Sequence, residues 1–325
     1  MITDDRARRL AAHEVVAARL AGLSDRELAE RVASATALGT GIGGRSAELD
    51  VAGTRVFVKQ VPLTDLELRN PHSTANLFGL PTWYQYGIGS AGFGAWRELA
   101  VHTMTTRWVV DGEYDGFPLT HHWRVLPGSA PHGFTDFLGG IDGAVAHWEG
   151  SAAVRGRLEA IGRASASLVL FLEHVPWTLS SWLADHSEAV PRVDRALARG
   201  AAFMGARGLV HFDAHFRNVL TDGRRLYFAD FGLALGAGFD LSPAERDFLS
   251  RHLAYDRYYV ASHLLRHHLP DDPAPAIAAV ADRHARVAAV LDDFHHRLLT
   301  ESRRTPFPTA DLEAAERIDL RGPEA

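Results

Sequence analysis

The chain has 325 residues, 46% of them hydrophobic and 23% charged, the profile of a globular protein with a substantial core. Its 34 basic and 40 acidic residues leave a formal charge of −6, which argues against a general nucleic-acid binder, since that would need a basic face. There is no cysteine, so disulfides, thiolate metal sites and cysteine nucleophiles are excluded.

At roughly 100–200 residues per domain the length implies about two domains or lobes. The segment MITDDRARRLAAHEVVAARL mixes charges into its apolar residues and lacks the uninterrupted core of a signal peptide. The longest strand-like apolar run, Leu168–Leu172, is far short of the ~20 residues that span a bilayer. A cytoplasmic protein with no membrane partner is the expectation. The histidine doublets His121-His122, His267-His268 and His295-His296 are adjacent pairs, which do not share a helix face and make poor ligand pairs.

In chain order, residues 3–35 read as two short helices, the second opened by a Ser24/Glu27 capping box. Residues 38–61 carry a glycine cluster and then two alternating runs around Ala52-Gly53-Thr54, a β-hairpin. Residues 62–94, rich in Pro, Gly, Asn and Tyr, read as a long loop ending in Gly87–Gly94, a flexible lead-in to a helix over Ala95–Trp108. Turns and short strands run to about Gly140. A helix over 151–165 then precedes the buried strand SLVLFLEHV. Helices follow at 179–186 and 191–207, and short strands at Val219-Leu220 and Leu226–Ala229. Residues 243–269 and 272–300 are helical, and the last twenty or so are polar and peripheral. A β-rich first half and a helical second half make an α+β, two-lobed arrangement and exclude the alternating order of a dinucleotide-binding domain.

The sharpest feature is GLVHFDAHFRNVLTDGRRLYFADFGLAL, residues 208–235. Asp213 is followed five positions later by Asn218, and then by Asp230-Phe231-Gly232. Phosphoryl transfer needs one carboxylate to take the acceptor's proton, and an amide and a second carboxylate to hold Mg²⁺ against anionic phosphates. Asp213, Asn218 and Asp230 supply that set, Asn218 and Asp230 being the metal ligands. The bland alternative makes them loop-capping and turn residues, but their order and spacing together argue against it.

This segment resembles the catalytic and metal loops of the protein-kinase-like superfamily, H-x-D-x-x-x-x-N followed by D-F-G. His215, two residues after Asp213, is similar to the aminoglycoside phosphotransferase and small-molecule kinase branch, whereas the D-F-G is closer to protein kinases. The resemblance implies a β-rich N-lobe over 36–173 and a mainly helical C-lobe over 174–325, with 1–35 as a helical extension. It extends to Gly39, Gly41 and Gly44 in G-x-G-x-x-G, and to Lys59 on the following strand, which would meet the phosphates of ATP. Glu98 is the best placed partner for Lys59, with Glu67 as the fallback. Phe57 replaces the small residue usual two before that lysine, and strand alternation puts it on the lysine's side, which would tighten the adenine pocket or shift the nucleotide. Backbone groups of Glu173 and Val175 would bond the base at the hinge. His211 would support the catalytic loop, and Arg217 would contact substrate, phosphate or solvent.

The expected activity is ATP- and Mg²⁺-dependent phosphoryl transfer to a hydroxyl. His215 favours a small-molecule acceptor. So does the short segment after Gly232, which lacks an A-P-E-type end and where Ser242-Pro243 begins the next helix. A serine/threonine protein kinase and a nucleotide-binding pseudokinase with a regulatory role are the alternatives, and a metal hydrolase built on His211, Asp213 and His215 is a third. Acceptor choice would reside in 62–94, 128–150 and 236–300, where Asp271, Asp272, Asp292 and Asp293 line either a cationic substrate or solvent.

Overall fold

The computed structural model describes residues 2–87, 89–270 and 272–321. The chain is α+β and divides into two units, one comprising Met1–His174 with Phe231–Leu233, the other Val175–Asp230 with Ala234–Ala325.

The first unit begins with α1 (Ile2–Ala21) and α2 (Asp25–Ser34). The first of these is a single helix of 20 residues rather than a short one, and the capping box at Ser24/Glu27 opens the second. Strands β1 (Thr36–Gly41), β2 (Gly44–Val51) and β3 (Thr54–Leu63) follow, with the expected hairpin at Ala52-Gly53. The expected loop over 62–94 instead contains α3 (Asp65–Arg69) and a 3-10 turn at Thr82–Tyr86. Thr64 and Glu67 form the capping box that starts α3, so T-x-x-E was the signal for it. Helix α4 (Ala95–Val110), strand β4 (Thr120–Pro127), helices α5 (Gly140–His147) and α6 (Ala152–Gly162) and strand β5 (Ala166–Glu173) complete the unit.

The sheet is antiparallel, in the order β1-β2-β3-β5-β4. Period-2 alternation gives it two apolar faces. Val56, Val58, Val169 and Phe171 pack with Val16, Leu20, Leu28 and Val32 of α1 and α2. Val61, Leu63, Leu168, Leu170 and Leu172 pack with Ala95, Trp96 and Leu99 of α4. Covering both faces explains why β5 is apolar at nearly every position rather than alternating.

The second unit contains β6 (Trp177–Thr178), α7 (Leu179–Asp185), α8 (Val190–Ala206), β7 (Leu209–Val210), β8 (Val219–Thr221), β9 (Leu226–Phe228) and β10 (Leu235–Gly236), then α9 (Pro243–His252), α10 (Tyr255–His267), α11 (Pro275–Thr300) and α12 (Thr309–Arg321). The helical stretch 243–269 breaks at Leu253-Ala254 into two helices. The C-terminal segment is not peripheral throughout, because α12 packs on α11 and buries Leu312 completely. Polar composition concealed one apolar stripe.

Candidate functional site

In the second unit, α8 ends at Ala206, and Gly208 just beyond it, with a φ of +69, suits the turn into β7. The chain then enters the loop 211–218 through two unusual residues. Phe212 has φ 62, a left-handed conformation that is costly for a bulky side chain. What holds it is Asp256 on α10, whose two carboxylate oxygens accept the backbone N–H groups of His211 (2.6 Å) and Phe212 (3.0 Å). The Phe212 ring packs against Phe248, His252 and Tyr255. Burial pushes the Asp256 carboxyl up to about 7, although both N–H donors favour its charged form.

His211 is fully buried. Its Nε2 donates to the Ala229 carbonyl at 2.9 Å, and its Nδ1 accepts the Asp213 N–H at 3.3 Å. Burial lowers its pKa to about 4, so the ring is neutral and its tautomer is set by these two bonds. It ties the loop to the residue before Asp230. As a ligand for a hydrolytic metal it is spent, since both ring nitrogens are engaged.

Asn218 Nδ2 donates to the Asp213 carbonyl and to Asp213 Oδ2, both at 3.0 Å. Two acceptors fix the amide nitrogen on that side and turn Asn218 Oδ1 away, where it accepts no hydrogen bond among the described residues. The Asn218 carbonyl accepts the Ala229 N–H at 2.9 Å, which fastens β9 and the following Asp230 beside the loop. Asp230 has φ 63, and its charge is felt by both His211 and His215. His215 Nε2 lies 3.8 Å from Asp213 Oδ1, with the ring held below the usual histidine range by burial. Arg217 is exposed and makes no hydrogen bond or ion pair among the described residues.

In the first unit, Lys59 Nζ donates to Glu98 Oε1 at 2.7 Å, and both side chains are buried. Glu67, the fallback, is engaged elsewhere. One of its oxygens takes the Arg157 guanidinium at 2.8 Å and the other the Ala95 N–H at 2.8 Å. It is Glu67, not Glu98, that satisfies the start of α4. Phe57 shares the Lys59 face and packs against the apolar cluster beneath α4.

The three glycines of the first cluster differ. At Gly44, φ +123, a Cβ would collide with the Gln60 carbonyl, so the fold itself demands glycine. At Gly41 a Cβ would meet nothing within 4 Å, and at Gly39 only Ser46 Oγ at 3.8 Å. Both lie on β1, which is exposed throughout, and the fold gives no reason for them. Next to them, Gly43 lies beside Lys59, its Cβ position 3.8 Å from Nζ.

The end of β5 is more occupied than expected. The Glu173 N–H donates to the Leu119 carbonyl at 2.8 Å, and its carboxylate is gripped by Arg9 through two bonds of 2.8 Å and by the Leu119 N–H at 3.0 Å. Its N–H is therefore not open to a base. Val175 makes no backbone hydrogen bond among the described residues.

The chain matches no family model and no curated protein.

Among the described residues, no three His, Asp or Glu side chains converge to hold a metal ion. A cation on Asn218 and Asp230 would thus need phosphate or water oxygens to complete its shell, as Mg²⁺ commonly does. The donor set fits such a hard cation, because the Asn218 carbonyl oxygen is the free end of its amide. Asp256 and Arg9 escaped sequence reasoning, yet each left a signal. Asp256 stands in the i, i+4, i+8 stripe with Val260 and Leu264, and Arg9 in the stripe with Val16 and Leu20. A charge on an apolar stripe is one that must find a buried partner.

Proposed function

We propose that this chain is an ATP- and Mg²⁺-dependent phosphotransferase of the protein-kinase-like fold, acting on the hydroxyl of a small molecule. The observation that carries the reading is the Asp213–Asn218 pair. An amide bonded to one carboxylate presents its oxygen outward, on a loop that is hydrogen-bonded to the residue before a second carboxylate.

In this reading Asp213 accepts the acceptor's proton, and the Asn218 Nδ2 bond fixes the direction of its carboxylate. Asn218 Oδ1 and Asp230 would hold the cation, which supplies charge neutralisation on the phosphates when bound. Lys59, steadied by Glu98, would meet the phosphates, and the open tract at Gly39 and Gly41 leaves room for them near backbone N–H groups. The Val175 amide, without a backbone partner among the described residues, would meet the base. A small acceptor is favoured because the stretch after Gly232 is short and committed. Leu235 pairs with Val210, and Ser242, with Pro243 behind it, caps α9. Little chain is left to dock a peptide.

The test is an ATP-consumption assay against a panel of amino alcohols, sugars and aminoglycosides, with Asp213→Asn as the inactive control. Turnover with at least one acceptor, lost at least 10³-fold in Asp213→Asn, supports the reading. Nucleotide binding without turnover on any small acceptor, but with transfer to a protein, would favour the protein-kinase alternative.

A further inference from the structure

Residues Phe231–Leu233 belong to the first unit, although the chain on either side of them belongs to the second. Two parts of the first unit hold this strip. The Phe231 ring is fully buried, edge-on to His102 of α4 at 5.0 Å and near Phe117 at 6.2 Å. The other part is the segment around the second glycine cluster, which composition marks as a flexible lead-in. Two of its described residues bond or abut the strip. Gln85, 2% exposed, donates its side-chain amide to the Leu233 carbonyl. Gly92, φ +70, lies so close that a Cβ would strike the Gly232 carbonyl.

The segment is itself braced. The Tyr84 hydroxyl accepts the Ala91 N–H at 2.9 Å, and Ser90 Oγ accepts the Gly92 N–H at 3.2 Å. Tyr84 and Phe93 sit in a cluster with Trp148, Val154 and Leu158 of the α5–α6 region. Ile88 lies outside the described residues. Gln85 and Gly92 therefore act from a base braced by these contacts, one by a hydrogen bond and the other by absence of a side chain.

We propose that Gln85 and Gly92 latch the strip Phe231–Leu233, and that they are positioning residues which, through this strip, fix the backbone of Asp230. The role assigned to Asp230 rests on the phosphotransferase reading, whereas the latch itself does not. Asp230 is held in the left-handed region, and a strip pinned immediately after it keeps that conformation populated without any bound group. The latch thereby makes the cation-holding geometry a constitutive property of the fold.

The test compares hydrogen exchange of peptides covering 229–236 in the wild type, Gln85→Met and Gly92→Ala, with Gly156→Ala as control. A Cβ at Gly156, within α6 and away from the strip, meets nothing within 4 Å. Gln85→Met keeps volume and loses the donor. Exchange over 229–236 is expected to rise at least tenfold in the first two variants and less than twofold in the control. Exchange in α8 should not change. Equal exchange in all four proteins, or a rise as large in the control, overturns the latch. Where Gln85→Met fails to fold, Gly92→Ala decides alone. The second arm measures ATP affinity with and without Mg²⁺. The latch variants are expected to lose about tenfold in Mg²⁺-dependent affinity with metal-free affinity unchanged. Faster exchange with full Mg²⁺ linkage overturns the positioning role. A wild type that binds no nucleotide sinks the phosphotransferase reading, and the exchange arm still decides the latch.

Discussion

The Lys59 ammonium donates to the Glu98 carboxylate at 2.7 Å within the first unit, and both groups are buried. A buried pair of this kind is costly to break from either side, because the remaining charge loses its compensation. Lys59→Met and Glu98→Leu are each expected to cost about 3 kcal/mol, and the double variant clearly less than their sum. Urea denaturation of the four proteins measures the coupling. Simple additivity would mean that the pair is not a unit.

Gly44 and Gly41 separate folding from binding. Gly44→Ala forces a Cβ onto the Gln60 carbonyl at positive φ and is expected to cost more than 2 kcal/mol in thermal or urea unfolding. Gly41→Ala meets nothing and is expected to leave stability within about 0.5 kcal/mol. In the phosphotransferase reading the same change weakens ATP binding, because a methyl group takes space meant for phosphate. Unchanged ATP affinity in Gly41→Ala would remove the glycine tract from the site.

Arg9 offers a test of the β5 end. Its guanidinium bonds the Glu173 carboxylate twice and the carbonyls of Asp115 and Phe117. Arg9→Ala is expected to cost about 3 kcal/mol, and Arg9→Lys to recover less than half, since an ammonium cannot reproduce the planar fork. Full recovery by lysine in a denaturation series would show that only the charge matters.

How far these contacts were legible in the sequence depended on whether they left a local pattern. The Asp213/Asn218/Asp230 spacing, the hairpin and the capping box at Ser24 are short-range features that backbone chemistry fixes, so they could be read directly. Glu98 was reachable only through the family resemblance, which expects a glutamate on a helix after the lysine strand, since its pairing with Lys59 spans 39 positions. The grip of Asp256 on Phe212 spans 44 positions and depends on tertiary packing. The Gln85 bond to Leu233 spans 148, and nothing near Gln85 announces it. Glycines misled in both directions. Those at 87–94 read as slack, while Gly92 and Gly94 are glycine because backbone or carboxylate lies against them.

Acid should loosen the second unit through its buried histidines. Burial lowers His252 to about 4, and its Nδ1 donates to the Phe248 carbonyl at 2.6 Å. A histidine with an ordinary value near 6.5 in the unfolded chain gives its full stabilisation above pH 6.5 and loses it as pH falls toward 4. Asp256, raised to about 7, works the other way across much of the same range, so the wild-type profile alone is ambiguous. His252→Asn keeps a donor at the Nδ1 position and cannot titrate. The stability gap between wild type and this variant is expected to narrow by up to about 1.4 kcal/mol per pH unit below pH 6.5. A gap constant from pH 8 to pH 4.5 would show that His252 charges freely in the folded state.

Calorimetric titration with ATP in the presence and absence of Mg²⁺, on the wild type, Asp230→Asn and Asn218→Ala, decides whether these residues hold a nucleotide-bound cation. Tight binding to the wild type that depends on Mg²⁺ is expected, with at least a tenfold loss of that dependence in both variants and the fold retained. Nucleotide binding by a folded wild type that ignores Mg²⁺, or no binding at all, would contradict the phosphotransferase reading.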